Sequence, residues 1–286
     1  MNPLGIHAAV WVGGWSPEQT RHALAKTAET GYDLIELTAN DPAAVDADLV
    51  RELLAEHGLR AAASLGLTFD ADVNNEDPEV VRRGLVRLNA ALDLVHAVGG
   101  EHLVGALHTT LGKYPAPATA RARANAVAAV RELAQRAGEL GVALGLEVVN
   151  RYETNLFNTA AGALEFLDEV DDGNALLHLD TYHMNIEERD FAKPVREAGD
   201  RLGYVHVGES HRGYPGSGTV DFAGFYRALV DAGYTGPITF ESFSSAVVDP
   251  NLSNTLAVWR DLWDDGEDLA RHAHRHVRDG IRAARS

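Results

Sequence analysis

Seven times along this chain a helix-forming stretch ends near a glycine and an apolar run follows within a few residues. The junctions are Gly31 before 32–37, Gly58 before 59–65, Gly99 before 102–107, Gly141 before 142–149, Gly173 before 175–179, Gly199 before 202–207 and Gly233 before 237–240. Glycine suits the left-handed residue that closes a helix. With an opening apolar run at 5–12, the pattern predicts eight strands separated by helices. Strands that alternate with helices make a parallel sheet. Eight such units in about 250 residues are the size of a closed (β/α)8 TIM barrel. The expected fold class is therefore α/β, one TIM-barrel domain over 1–286 with extra helices at the C-terminus.

Local signals agree. Ser16-Pro-Glu-Gln19 reads as a capping box with proline in the first turn. Asp77-Pro78-Glu79 opens a long helix to about Val98, and 118–140 is rich in alanine and arginine. Two segments are too polar or too rich in glycine for a helix, 68–75 and 209–219, and both fall after predicted strands. From Asn251 onward the pattern is helical, with Arg271, Arg275, Arg278, Arg282 and Arg285 at helical spacing. That stripe is either a solvated face or a subunit contact.

The totals exclude several classes of function. The net charge of −17 opposes a nucleic-acid partner, whose phosphates are met by lysine and arginine. Cysteine is absent, so thiolate metal sites and cysteine nucleophiles are excluded. No apolar run approaches the ~20 residues of a membrane span, and no leader pattern stands at the N-terminus. A cytoplasmic protein without a membrane partner is expected. The lysines, Lys26, Lys113 and Lys193, all lie outside the predicted strands, which argues against Schiff-base chemistry.

Charged groups occur where a buried strand should have none. Glu147, Asp180, His206 and Glu241 sit at or near the ends of the fifth to eighth apolar runs. In a parallel barrel those ends share one mouth, where sites are built. Taken singly, each could be a hydrogen-bonded core residue. Four in equivalent places on successive strands point to a divalent cation, and three carboxylates with one imidazole suit Mn²⁺, Mg²⁺ or Co²⁺. His178, two residues before Asp180, is a further ligand or a core-layer histidine. Glu36, late on the second strand, fits structural pairing.

The blocks Leu146-Glu-Val-Val-Asn-Arg-Tyr-Glu153, His178-Leu-Asp-Thr-Tyr-His-Met-Asn-Ile-Glu-Glu188 and Gly208-Glu-Ser-His-Arg-Gly213 resemble the ketose 3-epimerases. The resemblance extends over essentially the whole chain. It includes Ser64-Leu-Gly-Leu67 and Phe240-Glu-Ser-Phe243, and D-allulose 3-epimerases look most similar. It implies a xylose-isomerase-like barrel, a small ketose substrate and assembly as a homodimer or homotetramer. It places metal ligands at Glu147, Asp180, His206 and Glu241, with Glu147 and Glu241 catalytic on opposite faces of C3. Substrate contacts are implied at Glu153, His183 and Arg212. Ser64, in a block that matches, is a further substrate contact; His7 and Gly105 stand in the front of the pocket, where the family pattern is not kept. There 105–108 and Lys113-Tyr114 are expected as a loop facing the far end of the sugar. Trp11 and Phe243 are candidate apolar walls or core residues.

The same barrel hosts other chemistries. A metal-dependent aldose–ketose isomerase shares the enediolate and the ion but reprotonates another carbon. An apurinic-site endonuclease needs more histidine ligands and a basic face. A non-catalytic sugar-binding protein has no use for two carboxylates on a metal.

Overall fold

The computed structural model describes residues 2–263 and 265–286. Its strands are β1 (Leu4–His7), β2 (Leu34–Thr38), β3 (Arg60–Leu67), β4 (His102–Thr110), β5 (Ala143–Glu147), β6 (Ala175–Asp180), β7 (Leu202–Val207) and β8 (Ile238–Phe240). They close into a barrel in chain order, every pair parallel, with β8 returning to β1. The helices wrapped around it are α1 (Pro17–Glu29), α2 (Ala47–His57), α3 (Pro78–Val98), α4 (Ala120–Glu139), α5 (Ala160–Val170), α6 (Thr181–Glu187), α7 (Ala192–Ala198) and α8 (Phe222–Asp231). Past β8 come α9 (Pro250–Thr255) and α10 (Gly266–Ala284). Among the described residues no helix is long and apolar enough to cross a membrane.

The local chemistry behaves as the sequence suggests. Ser16 and Gln19 form the capping box of α1, and Asp77 caps α3 ahead of Pro78. Gly58 and Gly99 close α2 and α3 in the left-handed conformation. The junction before β6 differs: its left-handed residue is Asp171 (φ 51°), not Gly173. On α10, Leu269, Ala270, Ala273, Val277 and Ile281 are buried, and α10 packs on α8, β1 and β8. Its arginines are exposed on the single chain, and Arg271 and Arg278 pair with Glu267 and Asp279.

Three expectations on boundaries are corrected. The first strand stops at His7, because a 3-10 turn over Ala8–Val10 carries the chain off the barrel. The C-terminal segment is not continuously helical: α9 ends at Thr255, and Ala257 and Trp259 adopt positive φ before α10 begins. Residues 105–108 are not a loop but lie within β4.

Side chains inside the barrel stack in layers. Leu34, Ala62, Val104 and Tyr204 form one apolar layer low in the interior. Register sets the level of the charged groups above it. His7 pairs with Glu36, Glu147 with His178, and Asp180 with His206.

Gly105 is a close approach of backbone to backbone in this packing. It faces Leu65 across the β3–β4 ladder at φ 107°, and a Cβ there would come 2.5 Å from the Leu65 carbonyl oxygen. Gly105→Ala is expected to lose roughly 2–5 kcal/mol, the sum of backbone strain and overpacking. Urea denaturation checks this. A midpoint matching the parent would refute the close approach.

Candidate active site

The mouth at the C-terminal ends of the strands holds a cavity of about 60 Å³. Glu147 ends β5, Asp180 ends β6, His206 is next to last on β7, and Glu241 directly follows β8. Strand ends reach the mouth, so all four arrive together. His206 Nδ1 lies 3.6 Å from Glu147 Oε1 and 3.4 Å from Glu241 Oε1. Ligand atoms of Asp180, His206 and Glu241 lie within 4.8 Å of one another, so this cluster could hold a metal ion. Asp180 Oδ2 and His206 Nδ1 are buried with no hydrogen-bond partner. Unpaired buried polar atoms are costly. Burial, then the charge of Glu241, pushes the Asp180 carboxyl well up, and burial raises Glu147 above its ordinary value. A cation placed among these oxygens would relieve both.

Glu36 supports His206 from behind. It accepts from His206 Nε2 and from the Tyr204 hydroxyl, each at 2.8 Å, and is fully buried. Burial opposes its charge, but His206 and His7 outweigh burial and hold the carboxyl well below the usual range. Structural pairing is thus the role Glu36 takes. His206 responds in kind: burial favours the neutral ring, yet Glu36 and Glu241 raise it well above normal. His178 sits beneath, edge-on to His206 at 4.2 Å, with both ring nitrogens buried and unpaired.

Hydrogen bonds on the far nitrogen assign the other two histidines at the mouth. His183 Nδ1 accepts from the backbone N–H and the side-chain amide of Asn150, at 3.3 and 2.8 Å. Its proton is therefore on Nε2, which points at Glu147 and Asp180, 3.6 and 3.7 Å away. His7 Nδ1 accepts from the Ala9 N–H, leaving Nε2–H to donate to Ser64 Oγ at 3.2 Å. Burial lowers both rings below the normal histidine value, so they stay neutral donors.

Arg212 reaches in from the loop after β7. Its φ of 60° is unusual for arginine, and the surrounding loop enforces it. The buried Glu209 carboxylate accepts from the backbone N–H groups of Ser210, Gly216 and Thr219, and its carbonyl accepts from Arg212 N–H. The guanidinium stacks over Tyr182 at 3.8 Å, lies beside Phe243, and donates to Glu241 Oε2 at 2.6 Å. Burial works against the Glu241 charge, but His206 and Arg212 hold that carboxyl below its usual value. Glu153 accepts from Asn150 at 2.8 Å, and burial raises its carboxyl.

His7, Ser64, Gly105, Glu147, Glu153, His183, His206, Arg212, Glu241 and Phe243 all line the cavity. Trp11 does not. The turn after β1 carries it away, and its indole donates to Thr27 Oγ1 on α1 inside the main core. His108, Lys113 and Tyr114 are also outside. His108 stacks on Phe157 at 4.0 Å, and the Tyr114 hydroxyl donates to the buried Asp72. Sequence reasoning missed Asn150, which orients Glu153 and His183, and the apolar walls Leu111, Leu252 and Leu256. Asn150 stands inside the block quoted for Glu147 and Glu153. The i, i+4 spacing of Leu252 and Leu256 was a second available signal.

Glu36→Gln removes the charged acceptor of His206 while keeping the shape. The expected loss is roughly 2–4 kcal/mol in metal-free protein, as for a buried pair left with one partner. Urea melts at neutral pH measure it. A midpoint unchanged from the parent would show that this pair contributes nothing.

Comparison with known proteins gives a consistent picture. A family model described as a xylose isomerase-like TIM barrel matches residues 24–280. The chain is 57% identical over 266 residues to an L-ribulose 3-epimerase of Methylomonas sp. (strain DH-1), covering 93% of each. It is 48% identical over 283 residues to a ketose 3-epimerase of Arthrobacter globiformis, covering 99% of this chain and 98% of the relative. A crystal structure of D-allulose 3-epimerase from Methylomonas sp. in complex with D-allulose superposes with a TM-score of 0.96 at 55% identity, covering 97% of this chain and 96% of that one.

Proposed function

The chain belongs to the ketose 3-epimerases of the xylose isomerase-like TIM-barrel family, and from that premise we propose that it inverts C3 of free ketoses by proton transfer between two carboxylates. The substrate pair put first is D-fructose and D-allulose, with D-tagatose and D-sorbose, or L-ribulose, as further ketoses. The observation that carries the reading is the placement of Glu147 and Glu241. They reach one cavity from β5 and from the end of β8, on either side of His206.

Each residue has a role that follows from its chemistry. Inversion through a planar cis-enediolate requires proton removal on one face and delivery on the other. Glu147 and Glu241 supply those two groups. The Nε2–H of His183 and the carboxyl of Glu153 converge where O1 and O2 of a ketose would lie, stabilising charge as the carbonyl enolises. Arg212 offers fixed donors to the sugar oxygens. The unpaired Asp180 Oδ2 and His206 Nδ1, with Glu147 and Glu241, fit a divalent cation, proposed as Mn²⁺, Mg²⁺ or Co²⁺. Bound there, such an ion supplies Lewis acidity to the carbonyl being enolised. His7, Ser64, Gly105 and Phe243 shape the wall against the rest of the sugar. Assembly as a homodimer or homotetramer in the cytoplasm completes the reading. A monomeric mass by light scattering at micromolar concentration would count against the assembly, and cell fractionation tests the compartment.

Incubation with D-fructose in D₂O is the decisive experiment. D-Allulose carrying deuterium at C3 is expected, because a carboxylate exchanges its proton with solvent. An aldose labelled elsewhere would mark an aldose–ketose isomerase instead. Glu147→Gln and Glu241→Gln should each lower turnover by roughly 10²-fold or more, the scale of a lost acid–base group. Metal content measured in each variant separates lost chemistry from lost ion. Near-normal rates in a metal-loaded variant would end the two-carboxylate assignment.

Chelation tests the ion. EDTA followed by gel filtration is expected to abolish turnover, and Mn²⁺ or Co²⁺ to restore it. Full activity in protein shown by elemental analysis to be metal-free would overturn this assignment.

A further inference from the structure

The catalytic cavity does not end at its apolar wall. A groove of about 740 Å³ adjoins it, and Thr38, Asn40, Gly66, Leu111 and Leu252 line both spaces. That volume falls within the roughly 300–1,000 Å³ of sites for drug-sized molecules, far more than the distal carbons of one ketose fill. The groups for chemistry sit on the side of β5 to β8. The shared wall comes from β2, β3, the turn after β4, and α9. A ketose with C1 to C3 among Glu147, Glu241 and His183 therefore presents its distal carbons to the groove.

The groove has the composition of a carbohydrate surface. Phe69 is 51% exposed at its rim, held edge-on to Tyr114 at 5.0 Å. A half-exposed ring beside polar groups offers a face to the C–H side of a pyranose. Asp41, Asp249 and Asn251 bring hydroxyl acceptors and donors to the same walls. Charge rules out the alternative distal substituent, a phosphate. Among the described residues Arg87 is the one cation lining the groove; it donates to Thr68 Oγ1 and shares the lining with Asp41 and Asp249. Phosphates are held by several charged donors, not by one beside carboxylates.

We propose that this groove is a glycosyl subsite, and that the protein epimerises at C3 ketoses carrying a neutral glycosyl unit on a distal oxygen. The inference rests on the C3-epimerase reading. Only the C3–H bond is broken and remade. The glycosidic bond is untouched, and no co-reactant is consumed.

The probe is 6-O-α-D-glucopyranosyl-D-fructose, whose blocked O6 leaves furanose and open-chain forms, assayed beside D-fructose with metal-supplemented full-length protein. The expected product is the intact C3 epimer, which releases D-allulose only after α-glucosidase treatment. Its kcat/KM should be within about tenfold of the D-fructose value, since a groove that accommodates the glycosyl unit leaves the groups at C3 in place. D-Fructose turnover with disaccharide kcat/KM below about one-hundredth of it overturns the subsite and leaves the epimerase reading intact. No turnover of either sugar overturns both. Ala44 is exposed on the groove wall, outside the catalytic cavity. Ala44→Trp should depress kcat/KM for the disaccharide about tenfold more than for D-fructose, as expected where remote contacts are blocked. Phe69→Ala, the check should that variant fold poorly, should raise the disaccharide KM with little change in kcat. Equal effects on both sugars would place the glycosyl unit elsewhere and refute the proposal.

Discussion

Three carboxylates share the mouth of this barrel, and their mutual repulsion is the constraint to which the surrounding structure answers. Two like charges 4 Å apart cost about 4 kcal/mol at an effective dielectric constant near 20. Glu147, Asp180 and Glu241 are buried together, with His206 and Arg212 as the cationic groups nearest to them. Burial first, and then repulsion among them, drives Asp180 and Glu147 toward their neutral forms. A fold that keeps such a cluster must hold its members rigidly, since relaxation would separate them. Strand ends of a closed barrel do this better than loops, because every strand is hydrogen-bonded on both edges.

The loops then add what the strands cannot. Glu209 gathers the backbone amides of its own loop and forces Arg212 into a strained conformation facing Glu241. Asn150, just past β5, fixes Glu153 and His183 with one side chain. Farther out, Leu252 comes from α9 and Leu256 from the residue that caps it, and both pack in a small cluster with Ala9, Phe243 and Val258, separate from the main core. The reacting end of the cavity therefore stands on the barrel, and the distal end on an element packed less deeply. This division suits a protein whose chemistry is fixed while its distal pocket varies.

What could be read in the sequence follows the same division. Apolar runs closed by glycine give the strand count, and a carboxylate inside such a run marks itself by its cost of burial. Glu147, Asp180, His206 and Glu241 were legible on that ground alone; the barrel brings ligand atoms of Asp180, His206 and Glu241 within 4.8 Å of one another, with Glu147 3.6 Å from His206. Where a strand ends was not legible. Residues 5–12 stay apolar past His7 because Ala8, Val10 and Trp11 are buried too, but in the core outside the barrel. Burial sets hydrophobicity, and hydrophobicity does not say on which side of the sheet a residue is buried. The same ambiguity put Trp11 in the pocket. The break between α9 and α10 was hidden because Ala257 and Trp259 take positive φ without the glycine that would announce it.

Histidine shows where composition stops and geometry begins. His7, His183 and His206 all face the carboxylates, and nothing in their type separates them. Each is sorted by what its far nitrogen meets. Glu36 behind His206 accepts from Nε2–H, so Nδ1 is the nitrogen that faces the cluster and is free to give up its proton to a bound cation. Backbone N–H groups behind His7 and His183, donated to Nδ1, leave Nε2–H facing the mouth instead. A protonated ring nitrogen cannot bind a cation, and a bare one cannot stabilise an oxyanion. On the proposed reading, one buried carboxylate therefore makes His206 a ligand, and two backbone amides make its neighbours donors. The division of labour at the site is thus written in hydrogen bonds one layer outside the cavity, from groups that do not themselves line it.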